Sequence, residues 1–272
     1  MSGKRFDGVL LVSDYDDTLC GSSGYIPPDN IAALNYFTQN GGRFTVATGR
    51  AHTTFAPYAH QLPINAPVVL SNGSALYDFE TDTMLVQTLL DDRAPEDLTA
   101  LCAAIGGLGF EAYHGEDIYA HAPNWVTQMH MKKVGSSYTV LPVEQIPTPW
   151  TKAIIQSEHE TLLQARDWLA EHCPDRYEAI FSNHYYLELT DRGSNKGGMT
   201  AKLARRLGID PEHIWCVGDN QNDIPMLALS QIPFAPADCA DEVKQWGAKL
   251  LCPCGEGTVA QVVDELCRRY PE

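Results

Sequence analysis

The chain has 272 residues, 44% of them hydrophobic, enough to bury a sizeable core and too many for a chain that is disordered throughout. Nineteen Lys and Arg stand against 35 Asp and Glu, a net charge of −16. A chain this acidic repels nucleic-acid backbones and anionic lipid, so a phosphorylated ligand must be met by a few local cations or by a metal.

Residues 7–13 read as a buried strand, apolar without interruption as strands of parallel sheets are. Lys4 and Arg5 precede this run, but Asp14, Asp16 and Asp17 end it, leaving neither a signal-peptide core nor a membrane span. A cytoplasmic protein is expected. Residues 20–27 are Gly/Ser/Pro-rich and irregular, and Pro28 to Thr38 reads as a helix stopped by Gly41-Gly42. Strands follow over 43–48 and 68–73, with a short helix near 52–60 between them. The pattern resumes after residue 188. A helix is expected over 195–207, a strand over 213–218, a helix over 223–229 and a strand over 232–235. A helix over 238–246, a strand over 248–252 and a helix over 257–268 complete it. Such alternation predicts a doubly wound, mostly parallel α/β sheet of Rossmann type.

Residues between the two halves have a different texture. Short strands (83–89, 110–113, 152–157, 177–181, 185–189) mix with helices over 95–105 and 159–172, and Pro-rich connections fall at 142–149 and near 121–123. The expected organisation is a core formed by 1–78 and 188–272, with an α+β insertion over 79–187 built on an antiparallel sheet. Eight cysteines show no disulfide-framework spacing and suit reduced thiols. Cys252 and Cys254 lack a second Cys/His pair at zinc spacing.

Four clusters carry chemistry. Asp14-Tyr15-Asp16-Asp17-Thr18 follows the first strand, where open α/β sheets bind ligands. Asp14 and Asp16, two apart on an extended chain, point the same way. Close carboxylates repel, so one stays protonated unless a cation is present. Ala47-Thr48-Gly49-Arg50 ends the second strand, and a Thr hydroxyl with the next backbone N–H can hold an anion there. Lys196 opens a helix, against the macrodipole, and so is a surface residue or the partner of a buried anion. Gly218-Asp219-Asn220-Gln221-Asn222-Asp223 follows the strand over 213–218. Its two terminal carboxylates, four positions apart, lie on one side of a turn, an arrangement that suits Mg²⁺.

In this order the four clusters resemble the motifs of the haloacid dehalogenase superfamily, in its Cof-like, type IIB phosphatase subgroup. Asp14, Asp16 and Thr18 match the D-x-D-x-T opening, Thr48 the second motif and Lys196 the third. Gly218, Asp219, Asn222 and Asp223 match G-D-x-x-N-D. Asp17 stands where the family usually has Gly. The resemblance implies a nucleophile in Asp14, a general acid and base in Asp16, and an aspartyl-phosphate intermediate. It implies Mg²⁺ held by Asp14, the Asp16 carbonyl and Asp219, with Asp223 supporting the metal shell. Tyr15 and Gly49 amides, Thr48, Lys196 and Asn222 would hold the phosphoryl oxygens. Asp16 would begin protonated, encouraged by its acidic neighbours. The insertion would be a cap that selects the leaving group, with candidate contacts in His114, Glu116, Tyr119, Trp125, His130 and Lys152. The expected substrate is a small phosphorylated metabolite, sugar phosphates foremost, with no nucleic-acid or membrane partner. The alternatives are a phosphomutase, which would release no inorganic phosphate, and a non-catalytic metabolite-binding protein. Oligomeric state is not legible.

Overall fold

The computed structural model describes residues 3–21 and 24–271; of the irregular stretch expected over 20–27, residues 22 and 23 lie outside the described residues. Five parallel strands form the first sheet in the order Lys249–Leu250, Phe234–Ala235, Ile214–Val217, Leu10–Ser13, Arg43–Val46. The first strand in the chain is thus flanked by the second on one side and by Ile214–Val217 on the other, with Leu11 facing both Trp215 and Phe44. That reversal of strand order opens a crevice beyond the carboxyl ends of the strands. Successive side chains alternate between faces. Leu11 joins Phe6, Phe37, Phe44, Trp215 and Val262 on one side. Leu10 and Val12 join Met199, Leu203, Met226 and Val243 on the other. Helices Pro28–Gln39 and Thr258–Arg269 supply the first cluster, and Lys196–Leu207, Ile224–Leu227 and Asp241–Trp246 the second.

The third strand is shorter than the span expected for it. It ends at Leu70, and Ser71–Gly73 turn with Ser71 and Asn72 in left-handed conformations. Val69 touches the parallel sheet through one isolated bridge to Ala47. Val68–Leu70 then pairs antiparallel with Ala75–Asp78, which pairs in turn with Thr83–Gln87. The strand expected over 83–89 therefore belongs to this small sheet rather than to the larger antiparallel one.

The second large sheet has six strands, in the order Tyr177–Asn183, Tyr186–Asp191, Lys152–Gln156, Gly109–His114, Asp117–His121, Thr139–Val140. Helices Ala94–Ala104 and His159–His172 cover one face with Leu98, Leu101 and Leu162, against Phe110, Ile155 and Leu187. The other face carries helix Trp125–Val134, packed through Val126 and Met131 on Tyr113, Ile154 and Tyr186. This helix follows the Pro-rich connection near 121–123. Its start is fixed by a capping box, in which Asn124 accepts from the Val126 and Thr127 amides and Thr127 Oγ1 accepts from the Asn124 amide. No helix among the described residues is long and apolar enough to cross a membrane.

Candidate active site

The sequence places Asp14 directly after the central strand, and its amide donates to the Val217 carbonyl, so the loop starts in register with the sheet. Asp14 and Asp223 are buried, and Lys196 Nζ lies between them, 2.6 Å from Asp14 Oδ1 and 2.7 Å from Asp223 Oδ1. Two close backbone contacts aim Lys196 there. A Cβ on Gly73 would come within 2.2 Å of the Asn195 carbonyl, and one on Gly197 within 2.1 Å of the Pro225 carbonyl. Only glycine lets the lysine's helix sit this near the turn and the Asp223 segment. Of the two open readings of Lys196, the structure selects the buried partner of an anion.

Both oxygens of the Asp223 carboxylate are engaged: Oδ2 accepts from the amides of Asp219 and Asn220 at 2.9 and 3.0 Å, and Oδ1 takes Lys196. Asp219 Oδ1 accepts from the Thr18 hydroxyl at 2.8 Å. One ligand atom each from Asp14, Asp219 and Asp223 lies within 4.8 Å of the others, a group able to hold a metal ion. Cys252 and Cys254 join no such group among the described residues. Burial and the Asp223 charge push the Asp219 carboxyl up to about 7. Burial, then Asp223, hold Asp14 well above the usual carboxylate range, although Lys196 opposes them. Burial works against the Lys196 charge, but Asp14 and Asp223 outweigh it and keep the lysine ionised. Three crowded carboxylates with a single lysine are short of positive charge, and an all-oxygen donor set of this kind suits a hard divalent cation.

Asp16 corrects one expectation. Its carboxylate receives two hydrogen bonds from Arg50, Nε to Oδ2 at 2.8 Å and Nη2 to Oδ1 at 2.7 Å. Burial opposes ionisation, but the Arg50 hydrogen bonds and charge prevail and hold Asp16 below the ordinary range. Asp16 therefore stands ionised here rather than protonated. Arg50 is itself seated against the Tyr15 and Tyr58 rings, 5.3 and 4.9 Å from their centroids. Asp17 takes φ +60°, the left-handed conformation that Gly would adopt freely and Asp tolerates. Its carboxylate lies 4.0 Å from Lys133 Nζ on the helix of the second sheet.

Thr48 is buried, its Oγ1 accepting from the Arg50 amide at 3.1 Å. Asn222 Nδ2 donates to Asn72 Oδ1 at 3.0 Å, leaving Asn222 Oδ1 and Asn72 Nδ2 buried without partners. Thr48, Gly49, Lys196 and Asn222 line one cleft with Asp14, Asp16 and Asp219; the Tyr15 ring packs beneath it on Phe55 and Tyr58.

The second sheet closes the cleft. Of the six candidate contacts from this region, His130 and Lys152 line it. His114 instead binds the Pro149 carbonyl, Glu116 accepts from the Thr53 amide, and Tyr119 packs on the far apolar cluster. Trp125 stacks edge-on against Tyr185, half exposed. Lys152 is buried, donating to the Gly49 carbonyl at 2.9 Å and to Glu188 Oε2 at 3.1 Å. Burial disfavours the Glu188 charge, but Lys152 overcomes it and keeps Glu188 below the usual range. Tyr113, Lys133, Tyr186 and Glu188 also line the cleft and carry no motif. Alternation could have found three of them. In F-E-A-Y (110–113), K-A-I-I-Q (152–156) and Y-L-E-L (186–189), polar or tyrosyl positions recur two apart and share the face opposite the apolar core.

A family model described as haloacid dehalogenase-like hydrolase matches residues 11–262. The HMP-PP phosphatase of Serratia proteamaculans is 26% identical over 220 residues, 80% of each chain. Pyridoxal phosphate phosphatase YbhA of Escherichia coli is 25% identical over 257 residues, 86% of this chain and 90% of that one. A solved subclass IIB sugar phosphatase shares the fold at a TM-score of 0.83 and 18% identity, over 94% of this chain and 98% of its own. The chain belongs to the haloacid dehalogenase-like hydrolases and is an enzyme of their phosphatase class, a phosphoric monoester hydrolase.

Proposed function

We propose that the protein is a Mg²⁺-dependent phosphatase of small, hydroxyl-rich phosphate monoesters, sugar phosphates foremost, working through an aspartyl-phosphate on Asp14. The observation that carries this reading is the buried Asp14–Lys196–Asp223 arrangement beside Asp219 at the sheet's switch point. Asp14 and Asp219, with the Asp16 carbonyl, would hold Mg²⁺, which supplies charge stabilisation to the phosphoryl oxygens. Asp223, its oxygens already engaged, supports the site by fixing Lys196 and the Asp219 loop.

Asp14 attacks phosphorus, the ester P–O bond breaks, and the leaving oxygen takes a proton from Asp16. Water then attacks the aspartyl-phosphate, giving its proton to Asp16 and releasing inorganic phosphate. Because Asp16 stands ionised against Arg50, it must leave that partner and gain a proton before it acts as an acid. Lys196, Thr48, the Gly49 and Tyr15 amides and the unpartnered side of Asn222 are the groups for the phosphoryl oxygens. The segment that carries the six-stranded sheet, from helix Ala94–Ala104 to strand Tyr186–Asp191 and so shifted from the expected 79–187, acts as the cap, excluding water and contacting the leaving group. The curated relatives named for HMP-PP and pyridoxal phosphate support a small metabolite, and the sugar phosphatase of like fold supports a sugar. The test is phosphate release from a panel of sugar phosphates, nucleotides, pyridoxal phosphate and flavin mononucleotide, with and without Mg²⁺. Release that needs Mg²⁺ and favours sugar phosphates is expected. Equal release in excess chelator contradicts the metal assignment, and a preference for the pyridoxal or flavin ester refutes the sugar assignment alone.

A further inference from the structure

Besides Lys196, four basic side chains among the described residues line the cleft: Arg50, His130, Lys133 and Lys152. Each is matched by its own carboxylate. Arg50 is held by Asp16 at 2.7 Å, Lys152 by Glu188 at 3.1 Å, and Lys133 lies 4.0 Å from Asp17. His130 Nδ1 meets Glu111 at 2.9 Å, and Glu111, fully buried, also accepts from the Tyr113 hydroxyl and Gln156 Nε2. The His130 ring nitrogen is thus engaged by a buried carboxyl group rather than open to a ligand. At the phosphoryl end, Asp14, Asp219 and Asp223 are balanced by Lys196 and one divalent cation. With Asp16 on Arg50 a phosphoryl dianion therefore enters a cleft whose described cations are all matched, and when Asp16 turns to its acid role the two cap-side lysines stay paired with Glu188 and Asp17. What the leaving-group end does offer is uncharged: Ser182, Asn183, Asn220 and Tyr186.

We infer that the cap end of this cleft selects an uncharged, hydroxyl-bearing leaving group, and that Glu188 and Asp17 exclude a second anionic group by cancelling the two cleft lysines. This rests on the phosphatase reading and narrows it. A carboxylate or second phosphate placed there meets lysines already neutralised and adds a third negative charge to a partly enclosed site, where charge interactions are stronger than in water. A hydroxyl loses nothing of the kind, since the amide and hydroxyl side chains can replace its water partners. The two pairs differ in strength. Lys152 and Glu188 are both buried, whereas Lys133 and Asp17 are about half exposed and screened by solvent.

The test uses the full-length protein with Mg²⁺ and esters matched except for charge. Glycerol 3-phosphate is compared with 3-phosphoglycerate, and fructose 6-phosphate with fructose 1,6-bisphosphate. The wild-type protein is expected to favour the uncharged member of each pair by about tenfold or more in kcat/KM. Glu188→Gln frees Lys152 and should shift that ratio toward the anionic member by about tenfold. Asp17→Asn, at the exposed mouth and in a conformation Asn also accepts, should shift it the same way by about threefold. A merely structural role for these carboxylates lowers both rates together and leaves the ratio in place. A wild-type preference for the anionic esters overturns the inference, as does a ratio that stays at its wild-type value in both variants. Phosphate release from none of the esters or of the metabolite panel overturns the phosphatase reading, and the inference with it.

Discussion

Both large sheets send side chains into one cleft, and they do so by different rules. In the parallel sheet the residues stand just past strand ends, in short contiguous runs: Asp14 to Thr18 after Ser13, Thr48 to Arg50 after Val46, Asp219 to Asp223 after Val217. In the antiparallel sheet they stand inside strands at alternate positions and meet only through register. Tyr113 lies opposite Lys152, and Ile154 lies between Glu111 on one side and Glu188 on the other. Strand ends can hold several polar groups together because the loops that follow are free to turn. Strand interiors must give every second position to the core, so one sheet face is all that remains for polar groups. Changes to the buried groups beyond the parallel strands are therefore expected to abolish chemistry, and changes on the antiparallel face, or at the half-exposed Asp17 that meets its helix, to redirect it.

The sharpest break in that comparison is Asp14→Asn, which keeps size but replaces a charged nucleophile with a neutral amide. Turnover is expected to fall roughly a thousandfold or more. Thermal stability should hold or rise, because repulsion from Asp223 and Asp219 is relieved. Phosphate-release kinetics check the first part and a melting curve the second; activity within tenfold of wild type removes Asp14 from its role. Lys196→Ala should damage fold and activity together. It leaves Asp14 and Asp223 buried without their shared cation, and stranding a buried charge costs about 3–5 kcal/mol. Denaturant unfolding in chelator measures this, and a loss below about 1 kcal/mol would show the lysine to be dispensable to the fold.

On the antiparallel face the expected effect is smaller and of another kind. Lys152→Met keeps an apolar stem but loses the bonds to Gly49 and Glu188. KM for the preferred ester should rise by about tenfold, with kcat falling much less. A kcat loss as large as that of Asp14→Asn would erase the distinction between the sheets. The smallest effect is on metal-linked stability. Asp219 is held up to about 7 and Asp14 above its ordinary range, and both return to about 4 when unfolded. Between these values the folded, metal-free protein keeps protons that the unfolded chain has lost, so rising pH withdraws stability from it. Mg²⁺ competes with those protons. The rise in Tm on adding saturating Mg²⁺ should therefore be larger at about pH 8 than at about pH 5. Equal rises at both would contradict a carboxylate site for the metal.

The two rules also explain what could be read from the sequence. Asp14, Thr48, Lys196 and Asp219 were legible because each motif is local, and the parallel strands because their apolar runs are continuous. Arg50 stood inside a recognised motif, yet its pairing with Asp16 depends on the Tyr15 and Tyr58 rings that seat it, and no spacing encodes that. Glu111 and Glu188 were missed because an isolated acid in a strand reads as solvent-facing until the partner strands are known. Helix Trp125–Val134 was obscured by the preceding Pro123, although Asn124 and Thr127 write its capping box. The strand expected over 68–73 ends at Leu70 because Ser71-Asn72-Gly73 are polar turn residues that take left-handed backbone.

Rapid quenching of the Mg²⁺-loaded protein during turnover, followed by peptide mass spectrometry, tests the central claim most directly. A phosphoryl group is expected on the peptide bearing Asp14, at the Asp14 carboxylate, and absent from the Asp14→Asn protein. A phosphoryl group on another residue, or turnover with no phosphorylated peptide under conditions where hydrolysis of the intermediate limits the rate, would contradict it.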